Sequence, residues 1–312
     1  MRVSGRQRAC GLFALNTVLI WLIAAAPPAD ARVISTPVSR FAVIGDYGDF
    51  NNPNTLAVAN LVHDWSPDFI VTVGDNNYCF TTNSYTYDDC VGRYYHDYIA
   101  PYTGTYGSGA MVNRFWPTMG NHDWDAQTIS YTTFFSLPNN ERTYDLMRGP
   151  LHFFMIDSDD REPAGNTAGS LQAQWIGQAM TASTATWKIP VFHHPSYSTG
   201  VHGDSAWMQA WPFKFWGASV VLSGHDHDYE RLVNDHLQYL VVGTGGESIR
   251  AGVTTSTAVS LVRVNEFGAV LGEADACRLR LRFFTASGEQ RDTLLLIQPG
   301  CPRSVMLPMI YR

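Results

Sequence analysis

The run Ala218-Ser219-Val220-Val221-Leu222-Ser223 leads directly into Gly224-His225-Asp226-His227. The apolar run predicts a buried strand. Where the backbone beyond a strand stays extended, residues two apart point the same way, so both imidazoles are expected to face one cavity. Gly224 is expected to let the chain bend sharply as it leaves the sheet. The spacing suits a metal site, but a His-x-His pair also occurs as two ordinary core or surface histidines, so other clusters must decide.

Several other apolar segments also end in polar groups that bind metals. Residues 40–44, 54–65 and 69–73 are predicted to form a strand, a helix and a strand, a βαβ unit with a right-handed crossover. Such a unit delivers Asp46 and Asp75 to the carboxyl ends of its strands, where sites in these sheets usually lie. The whole set of candidate groups is Asp46, Asp75, Tyr78, Asn121, His122, His193, His202, His225 and His227.

Each of these residues has an ordinary structural explanation when it is taken alone. An Asp after Gly often caps a helix, Asn121 is a common turn former, and a lone His is more often structural than catalytic. Their joint appearance at successive strand ends favours a site. Carboxylate and amide oxygens mixed with imidazoles suit Zn, Fe or Mn, and there are too many ligands for one tetrahedral ion. Two metals that share a carboxylate are therefore predicted.

The remaining pattern indicates one α/β domain that ends in a β-rich part. Further strands are predicted at 151–156 and 187–192, helices at 170–180 and 207–215, and a short helical piece around 91–99 within a long functional loop at 81–109. Strands are also predicted at 237–242, 258–264, 269–273, 279–284 and 293–297. We expect these last strands to complete a second sheet of a single domain at 36–300, followed by a tail at 301–312.

The first 31 residues have the pattern of a signal peptide. Three arginines precede an apolar run at 11–26, and Ala29-Asp30-Ala31 is a small-x-small cleavage site. An uncleaved membrane anchor is less favoured, because the run is shorter than the roughly 20 residues that a spanning helix needs. We expect cleavage after Ala31, no membrane association afterwards, and a secreted or periplasmic protein.

Charge and cysteine content limit the partners and the compartment. Removal of residues 1–31 takes away three arginines and Asp30, which changes the formal charge from −7 to −9 and argues against a nucleic-acid-binding surface. Four cysteines remain, and an even number in an exported chain suggests two disulfides. Proximity favours Cys79 with Cys90 and Cys277 with Cys301, although three pairings are possible. None of the four has zinc-ligand spacing.

Five motifs in order resemble those of the calcineurin-like metallophosphoesterases, and specifically the small purple, tartrate-resistant-type acid phosphatases. They are Asp46-Tyr47-Gly48, Gly74-Asp75-Asn76-Asn77-Tyr78, Gly120-Asn121-His122-Asp123, His193-His194-Pro195 and Gly224-His225-Asp226-His227. The resemblance covers residues 45 to 228. It implies a four-layer αββα sandwich, in which two mixed β-sheets are flanked by helices and a dimetal site lies at the carboxyl ends of strands.

The resemblance also implies the metal ligands. Asp46, Asp75, Tyr78 and His227 would bind Fe(III), and Asp75 would bridge to a second metal, Fe(II), Zn or Mn. The other ligands of the second metal would be Asn121, His193 and His225, with His194 as the alternative to His193. A tyrosine has an ordinary pKa of about 10, so its ionisation at working pH needs a strong Lewis acid, which favours iron beside Tyr78.

Three further residues are candidates for catalysis. Two cations would fix a phosphate group, lower the pKa of a bound water to generate hydroxide, and stabilise the growing negative charge. His122 is the candidate acid for the leaving group, because it is next to a ligand but is not required as one, and Asp123 is expected to orient it. The resemblance implies a second substrate-side histidine at His202, nine residues after His193.

The leading interpretation is an exported dimetal acid phosphatase that hydrolyses phosphate monoesters. Its substrate would be a phosphorylated small molecule or a phosphoprotein, and its oligomeric state is left open. A phosphodiesterase or nucleotide hydrolase on the same metal platform is the close alternative. A non-catalytic phosphate- or metal-binding protein is less favoured, because that interpretation predicts a missing ligand or acid and none is missing.

Overall fold

The computed structural model describes residues 1–2, 38–79, 86–126 and 128–302. The chain divides into two units, residues 1–35 and 36–312, and every element below belongs to the second unit. The predicted signal peptide and residues 303–312 of the predicted tail lie outside the described residues, apart from residues 1–2. Among the residues described, no helix is both long and apolar enough to cross a bilayer.

The second unit alternates strands and helices up to residue 223 and is mainly strands afterwards. The strands are β1 (Ser39–Ile44), β2 (Phe69–Thr72), β3 (Phe115–Trp116), β4 (Tyr144–Arg148), β5 (Leu151–Met155), β6 (Trp187–Val191), β7 (Val221–Ser223), β8 (Tyr229–Asn234), β9 (Leu237–Val242), β10 (Val259–Val264), β11 (Gly268–Ala274), β12 (Arg278–Thr285) and β13 (Gln290–Ile297). The helices are α1 (Pro53–Trp65), α2 (Arg93–Tyr95), α3 (Asn121–Asp125), α4 (Thr128–Phe134), α5 (Leu171–Ala182) and α6 (Ala206–Gln209). A π-helical turn (Asp88–Gly92) precedes α2, and a 3₁₀ turn (His96–Tyr98) follows it.

The strands form two mixed sheets. One sheet has six strands in the order β13-β12-β11-β1-β2-β3, and the other has seven in the order β10-β8-β9-β7-β6-β5-β4. In the first sheet β1, β2 and β3 are parallel, while β11 joins β1 in antiparallel fashion. In the second sheet β5, β6, β7 and β9 are parallel.

Three apolar clusters separate four layers. The first lies between the sheets and joins side chains of both, such as Phe41 of β1 and Phe153 of β5, whose rings are 5.3 Å apart. The second packs α1 and the helical segments around α2 and α4 on the outer side of the six-stranded sheet. The third packs α5 and an aromatic segment on the outer side of the seven-stranded sheet. The predicted four-layer sandwich is confirmed.

Helix α1 shows how local sequence defines an element of this sandwich. The Asn52 side chain accepts a hydrogen bond from the backbone N–H of Asn54, and Pro53 occupies the first turn, so the helix starts where its backbone donors are satisfied. Val58 and Val62 lie on one face and are fully buried against the sheet. Ser66 adopts a left-handed conformation and ends the helix before Pro67.

Two predictions about the C-terminal half are wrong in part. The strands from residue 237 onward do not all complete one sheet: β9 and β10 join the seven-stranded sheet, whereas β11, β12 and β13 join the six-stranded sheet. The helix predicted at 207–215 is limited to α6. Beyond it, Trp211 and Phe213 are buried with Trp216 in an aromatic cluster, and this packing explains the apolar spacing that resembles a helix.

Parallel pairing aligns the ends of β1 and β2 in one sheet and the ends of β6 and β7 in the other. Val43 of β1 is in register with Val71 of β2, and Val191 of β6 is in register with Leu222 of β7. Pairing continues beyond the strands, because the backbone N–H of Asp46 donates to the Gly74 carbonyl over 3.1 Å. The loops that follow these strands contain the predicted ligands.

Candidate metal centre

Three of the predicted ligands have an unusual backbone conformation. Asp46, Asp75 and His225 adopt positive φ angles of 57°, 51° and 72°. Such angles are uncommon for residues with a Cβ, and they concentrate at functional sites. The sharp bend predicted at Gly224 is therefore made by His225.

Glycines in the motifs allow ligands to approach the backbone closely. A Cβ on Gly224 would lie 2.6 Å from Asp46 Oδ2, and a Cβ on Gly120 would lie 2.2 Å from Asp75 Oδ1. Both distances are shorter than contacts that real Cβ atoms make. Glycine at these two positions is explained by the carboxylates that pack against it.

The first group of donor atoms surrounds the Tyr78 hydroxyl. This oxygen lies 2.8 Å from Asp75 Oδ2, 3.1 Å from Asp46 Oδ1 and 3.2 Å from His227 Nε2. Asp46 Oδ1 is in turn 3.4 Å from His227 Nε2. All four side chains are buried. Three oxygens and one imidazole nitrogen therefore converge on one point.

The second group surrounds His193 Nε2. This nitrogen lies 3.2 Å from Asp75 Oδ2, 3.1 Å from Asn121 Oδ1 and 3.1 Å from His225 Nδ1. Asp75 Oδ2 is thus common to both groups. This arrangement of donors fits two metal ions that share one carboxylate, as predicted.

Backbone carbonyls set the orientation of two of the imidazoles. His193 Nδ1 lies 3.0 Å from the Val73 carbonyl, and His227 Nδ1 lies 2.7 Å from the Ser248 carbonyl. A carbonyl only accepts, so Nδ1 carries a proton in both rings and Nε2 is the nitrogen that faces the donor groups. Metal-binding histidines are typically held in this way.

The titration behaviour of these groups follows from burial and mutual charge. Burial raises the pKa of the Tyr78 phenol far above its ordinary value, and Asp46 and Asp75 raise it further. Burial also favours neutral Asp75, but the neighbouring imidazoles of His193, His122 and His225 together outweigh burial and hold the Asp75 pKa well below its usual range. Ionisation of Tyr78 in this site therefore needs an added positive charge.

His193 occupies the ligand position, and His194 does not. His194 Nδ1 lies 2.9 Å from the Ser158 hydroxyl, and its ring packs between His225 and Trp207 at centroid distances of 4.5 and 5.6 Å. Consecutive residues that follow a strand point in opposite directions, so only one of the two can reach Asp75. The structure places His193 there.

His122 lies beside both donor groups without being part of either. Its ring centroid is 4.4 Å from that of Tyr78, and Nε2 is 4.0 Å from Asp75 Oδ2. Its other ring nitrogen, Nδ1, is 3.8 Å from Asp125 Oδ2. About a quarter of the side chain is exposed.

The role predicted for Asp123 is wrong. This fully buried carboxylate accepts hydrogen bonds from the backbone of Gly120, from the backbone and side chain of Asn76, and from the Tyr87 hydroxyl. It thereby holds the second and third motifs together. Adjacent residues on a helix project about 100° apart, so Asp123 points away from His122, and Asp125, three residues on, lies on the His122 side.

His202 lies at the edge of the centre together with an arginine that sequence reasoning missed. The His202 ring packs on His225 at 4.1 Å, and its backbone N–H donates to Asp226 Oδ1 over 2.8 Å. Arg250 donates to His202 Nε2 over 2.6 Å, and its own backbone N–H donates to the His227 carbonyl. Arg250 lies outside the motifs, and no local pattern marks it.

Both predicted disulfides are present. Cys79 is bonded to Cys90, and this bond ties the residue after Tyr78 to the π-helical turn. Cys277 is bonded to Cys301 near the C-terminal end of the described residues. The pairing that sequence proximity favours is confirmed.

The chain belongs to the calcineurin-like phosphoesterase family, whose model matches residues 39–229, more than half of the sequence. The match spans all five motifs and every predicted metal ligand. The family predicted from those motifs is confirmed.

Within this family, the chain is similar in sequence to purple acid phosphatases. The chain is 27% identical to purple acid phosphatase 15 of Arabidopsis thaliana over 68% of its own length and 46% of the plant protein. It is 23% identical to tartrate-resistant acid phosphatase type 5 of Mus musculus over 74% of its length and 78% of the mouse protein. The chain thus spans less than half of the plant relative and about three quarters of the mouse relative. The predicted resemblance to the purple acid phosphatase type is confirmed.

A solved structure shows the same fold. The purple acid phosphatase isolated from yellow lupin (Lupinus luteus) seeds superposes with a TM-score of 0.69 at 18% identity, covering 84% of this chain and 54% of the lupin chain. At this identity the likeness supports the architecture of two mixed sheets with flanking helices.

Proposed function

We propose that the protein is an exported acid phosphatase that hydrolyses phosphate monoesters at a dimetal centre. The observation that carries this proposal is the pair of donor groups joined through Asp75, with His122 beside them. The family match and the acid phosphatase relatives support the same reaction class. The substrate is a phosphorylated small molecule or a phosphoprotein.

The chain's own residues divide into ligands and a proton donor. Asp46, Asp75, Tyr78 and His227 would hold one metal ion, and Asn121, His193 and His225 would hold a second with Asp75. When bound, two such ions supply Lewis-acid chemistry that fixes phosphate, activates water and offsets negative charge.

His122 holds the proton that the leaving alkoxide needs. Its Nε2 faces the centre, and Asp125 lies 3.8 Å away on the Nδ1 side, where it can orient the ring. A positioned general acid of this kind matters most when the leaving alcohol is a weak acid, because such an alkoxide cannot depart unprotonated.

Iron(III) is proposed beside Tyr78, and Fe(II), Zn or Mn in the second position. We expect the purified protein to contain iron and to show a broad visible charge-transfer band. Tyr78→Phe should abolish the band, whereas Tyr47→Phe should leave it unchanged, because Tyr47 is a buried tyrosine that contacts Asn76 rather than the donor groups. A colourless protein with two zinc or manganese ions would contradict the iron assignment and reopen the case for diesters.

Turnover of a monoester and a diester tests the reaction. The metal-loaded protein should hydrolyse p-nitrophenyl phosphate at acid pH much faster than bis(p-nitrophenyl) phosphate, and His193→Ala should remove both activities. Faster turnover of the diester would favour the phosphodiesterase alternative. Bound metal without turnover of either ester would favour a non-catalytic binding protein.

Export is proposed from the signal peptide pattern, and the two disulfides are consistent with an oxidising compartment outside the cytoplasm. Amino-terminal sequencing of the protein recovered from periplasm or medium should begin at Arg32. Recovery only in the cytoplasm with an intact first residue would refute export.

A further inference from the structure

A cavity of about 420 Å³ lies beside the candidate metal centre and contains none of its proposed ligands. It is lined by Asp159, Asp160, Asn166, His194 and Trp207.

A row of rings connects this cavity to the centre. The His194 ring packs on His225 at 4.5 Å and on Trp207 at 5.6 Å. On the same side, the Arg161 guanidinium donates to the Asn121 carbonyl over 3.0 Å and to Asp159 Oδ1 over 2.7 Å. The cavity is therefore one side chain away from where a phosphate would bind, and the leaving group of a phosphate ester could extend into it.

Trp207 presents an aromatic face to the cavity. Its indole N–H donates to the Ser158 carbonyl over 3.1 Å, and the side chain is 39% exposed. Trp175 is exposed to a similar extent, so the position of Trp207 in the cavity wall, rather than its exposure alone, makes its ring available to a ligand there. Because the N–H is already used, the ring surface is what remains for a ligand.

The polar groups of the cavity are hydrogen-bond acceptors with an unbalanced negative charge. Arg161 donates to both oxygens of Asp159 and also to Asp125 over 2.7 Å, so this one cation is shared between two carboxylates. Asp160 is exposed and makes no ion pair within the described ranges of the chain. The Asn166 amide donates to the Ser158 carbonyl, which leaves its oxygen as an acceptor. Neither a lysine nor an arginine is among the described residues that line the cavity.

We propose that this cavity receives the leaving group of the substrate and selects phosphate monoesters of alcohols that carry an alkylammonium group. An ammonium over an indole face is attracted by the ring quadrupole, and a nearby carboxylate adds to the attraction. The same lining disfavours anionic leaving groups. The inference rests on the proposed phosphatase function, which supplies the phosphate site next to the cavity.

A pair of isosteric esters tests this selectivity. Phosphocholine and 3,3-dimethylbutyl phosphate have the same shape, but only the first carries a positive charge. We expect the wild-type kcat/KM to be about tenfold higher for phosphocholine. Trp207→Ala and Asp160→Asn should each reduce this ratio severalfold, whereas Trp207→Phe should retain most of it because the ring face remains.

Matched variants elsewhere control for general effects. Trp175, 36% exposed on α5, and Asp64, exposed on α1, both lie away from the cavity. Trp175→Ala and Asp64→Asn should leave the ratio unchanged. Equal kcat/KM for the two esters in the wild type would overturn the proposal even if both are hydrolysed.

Binding of choline itself separates this proposal from the phosphatase proposal. Calorimetry should detect choline binding to the wild-type protein and a loss of at least fivefold in affinity in Trp207→Ala. If no ester is hydrolysed but choline binds in this way, the phosphatase function fails and the cavity assignment stands. If esters are hydrolysed but choline does not bind, the cavity assignment fails.

Discussion

His122 shows how one side chain beside the candidate ligands can be tested separately from them. It lies 4.0 Å from Asp75 through Nε2, and the structure gives it no position in either donor group. If it protonates the leaving oxygen, His122→Ala should lower kcat for an alkyl phosphate by roughly 10²- to 10⁴-fold. It should change p-nitrophenyl phosphate turnover much less, because p-nitrophenolate leaves without a proton.

Metal content and the visible spectrum of His122→Ala serve as controls, and both should match the wild type. An equal loss of activity for good and poor leaving groups would show that His122 is not the acid. The effect would then have to come from substrate binding or from a disturbed ligand set.

Two neighbouring aspartates distinguish orientation of His122 from support of the motifs. Asp125→Asn should reduce alkyl phosphate turnover by a few fold with little change in stability, since its side chain is half exposed and faces His122. Asp123→Asn should instead lower the free energy of unfolding, because the amide places an N–H₂ group among buried donors. The reverse pattern, measured by kinetics and urea unfolding, would restore the role first predicted for Asp123.

The sequence alone predicts the contacts of some residues at the centre but not those of others. For His193, the spacing to Pro195 and the end of its strand agree, and the structure places Nε2 3.2 Å from Asp75 Oδ2. Asp123 was assigned the wrong contact, because adjacency in sequence on a short helix is not proximity in space. Arg250 was missed, because its approach to His202 depends on contacts between two loops that are far apart in the chain.

At the scale of elements, apolar runs predicted most strands, but not the sheet that each strand joins. β11 pairs with β1 across more than two hundred residues, for example Val270 with Val43. Nothing in local periodicity encodes such a partner. The apolar runs do not predict the strands β4 and β8, because charged residues interrupt their apolar pattern.

The disulfide between Cys79 and Cys90 is an element-scale constraint on the centre. It ties the segment that carries Tyr78 to the π-helical turn. Replacing both cysteines with alanine should lower the free energy of unfolding by about 3 kcal/mol, because the open chain gains freedom in the unfolded state. It should also shift or weaken the visible band, since the backbone next to Tyr78 is released.

The second disulfide provides the matched comparison. Cys277 and Cys301 close a loop at the start of β12 and the end of the described chain, away from every proposed ligand. Their replacement by alanine should lower stability by a comparable amount and leave the visible band unchanged. Equal spectral effects of the two double variants would argue against a specific link between the first disulfide and Tyr78.

At the scale of the whole molecule, the two sheets are joined by polar contacts as well as by their shared apolar core. Asp292 of β13 accepts from the Tyr229 hydroxyl over 2.7 Å and from Arg231 Nε over 2.7 Å. Both donors belong to β8 in the other sheet. A buried carboxylate thus connects the two layers at one end of the sandwich.

This connection makes stability depend on pH. Burial raises the pKa of Asp292, but hydrogen bonds from Arg231 and Tyr229 outweigh burial and hold that pKa below its usual value. A carboxyl group whose pKa is lower in the folded state than in the unfolded state stabilises the fold. This stabilisation is fully present at pH values above the unfolded-state pKa of about 3.9. Its contribution is lost as the pH falls through the folded-state pKa.

Asp292→Asn should therefore destabilise the protein by about 2 kcal/mol at pH 7, because Arg231 loses its partner across the sheets. The difference from wild type should shrink as the pH falls below the unfolded-state pKa of about 3.9 and through the lower folded-state pKa, where the wild-type carboxylate becomes protonated as well. Urea unfolding at several pH values measures both effects. Glu289→Gln is the control, since its pair with Arg291 is exposed and should contribute less than about 1 kcal/mol at any pH. A deficit of Asp292→Asn that stays constant over the whole acid range in which the protein remains folded would mean that packing, rather than the charge on Asp292, links the sheets at this point.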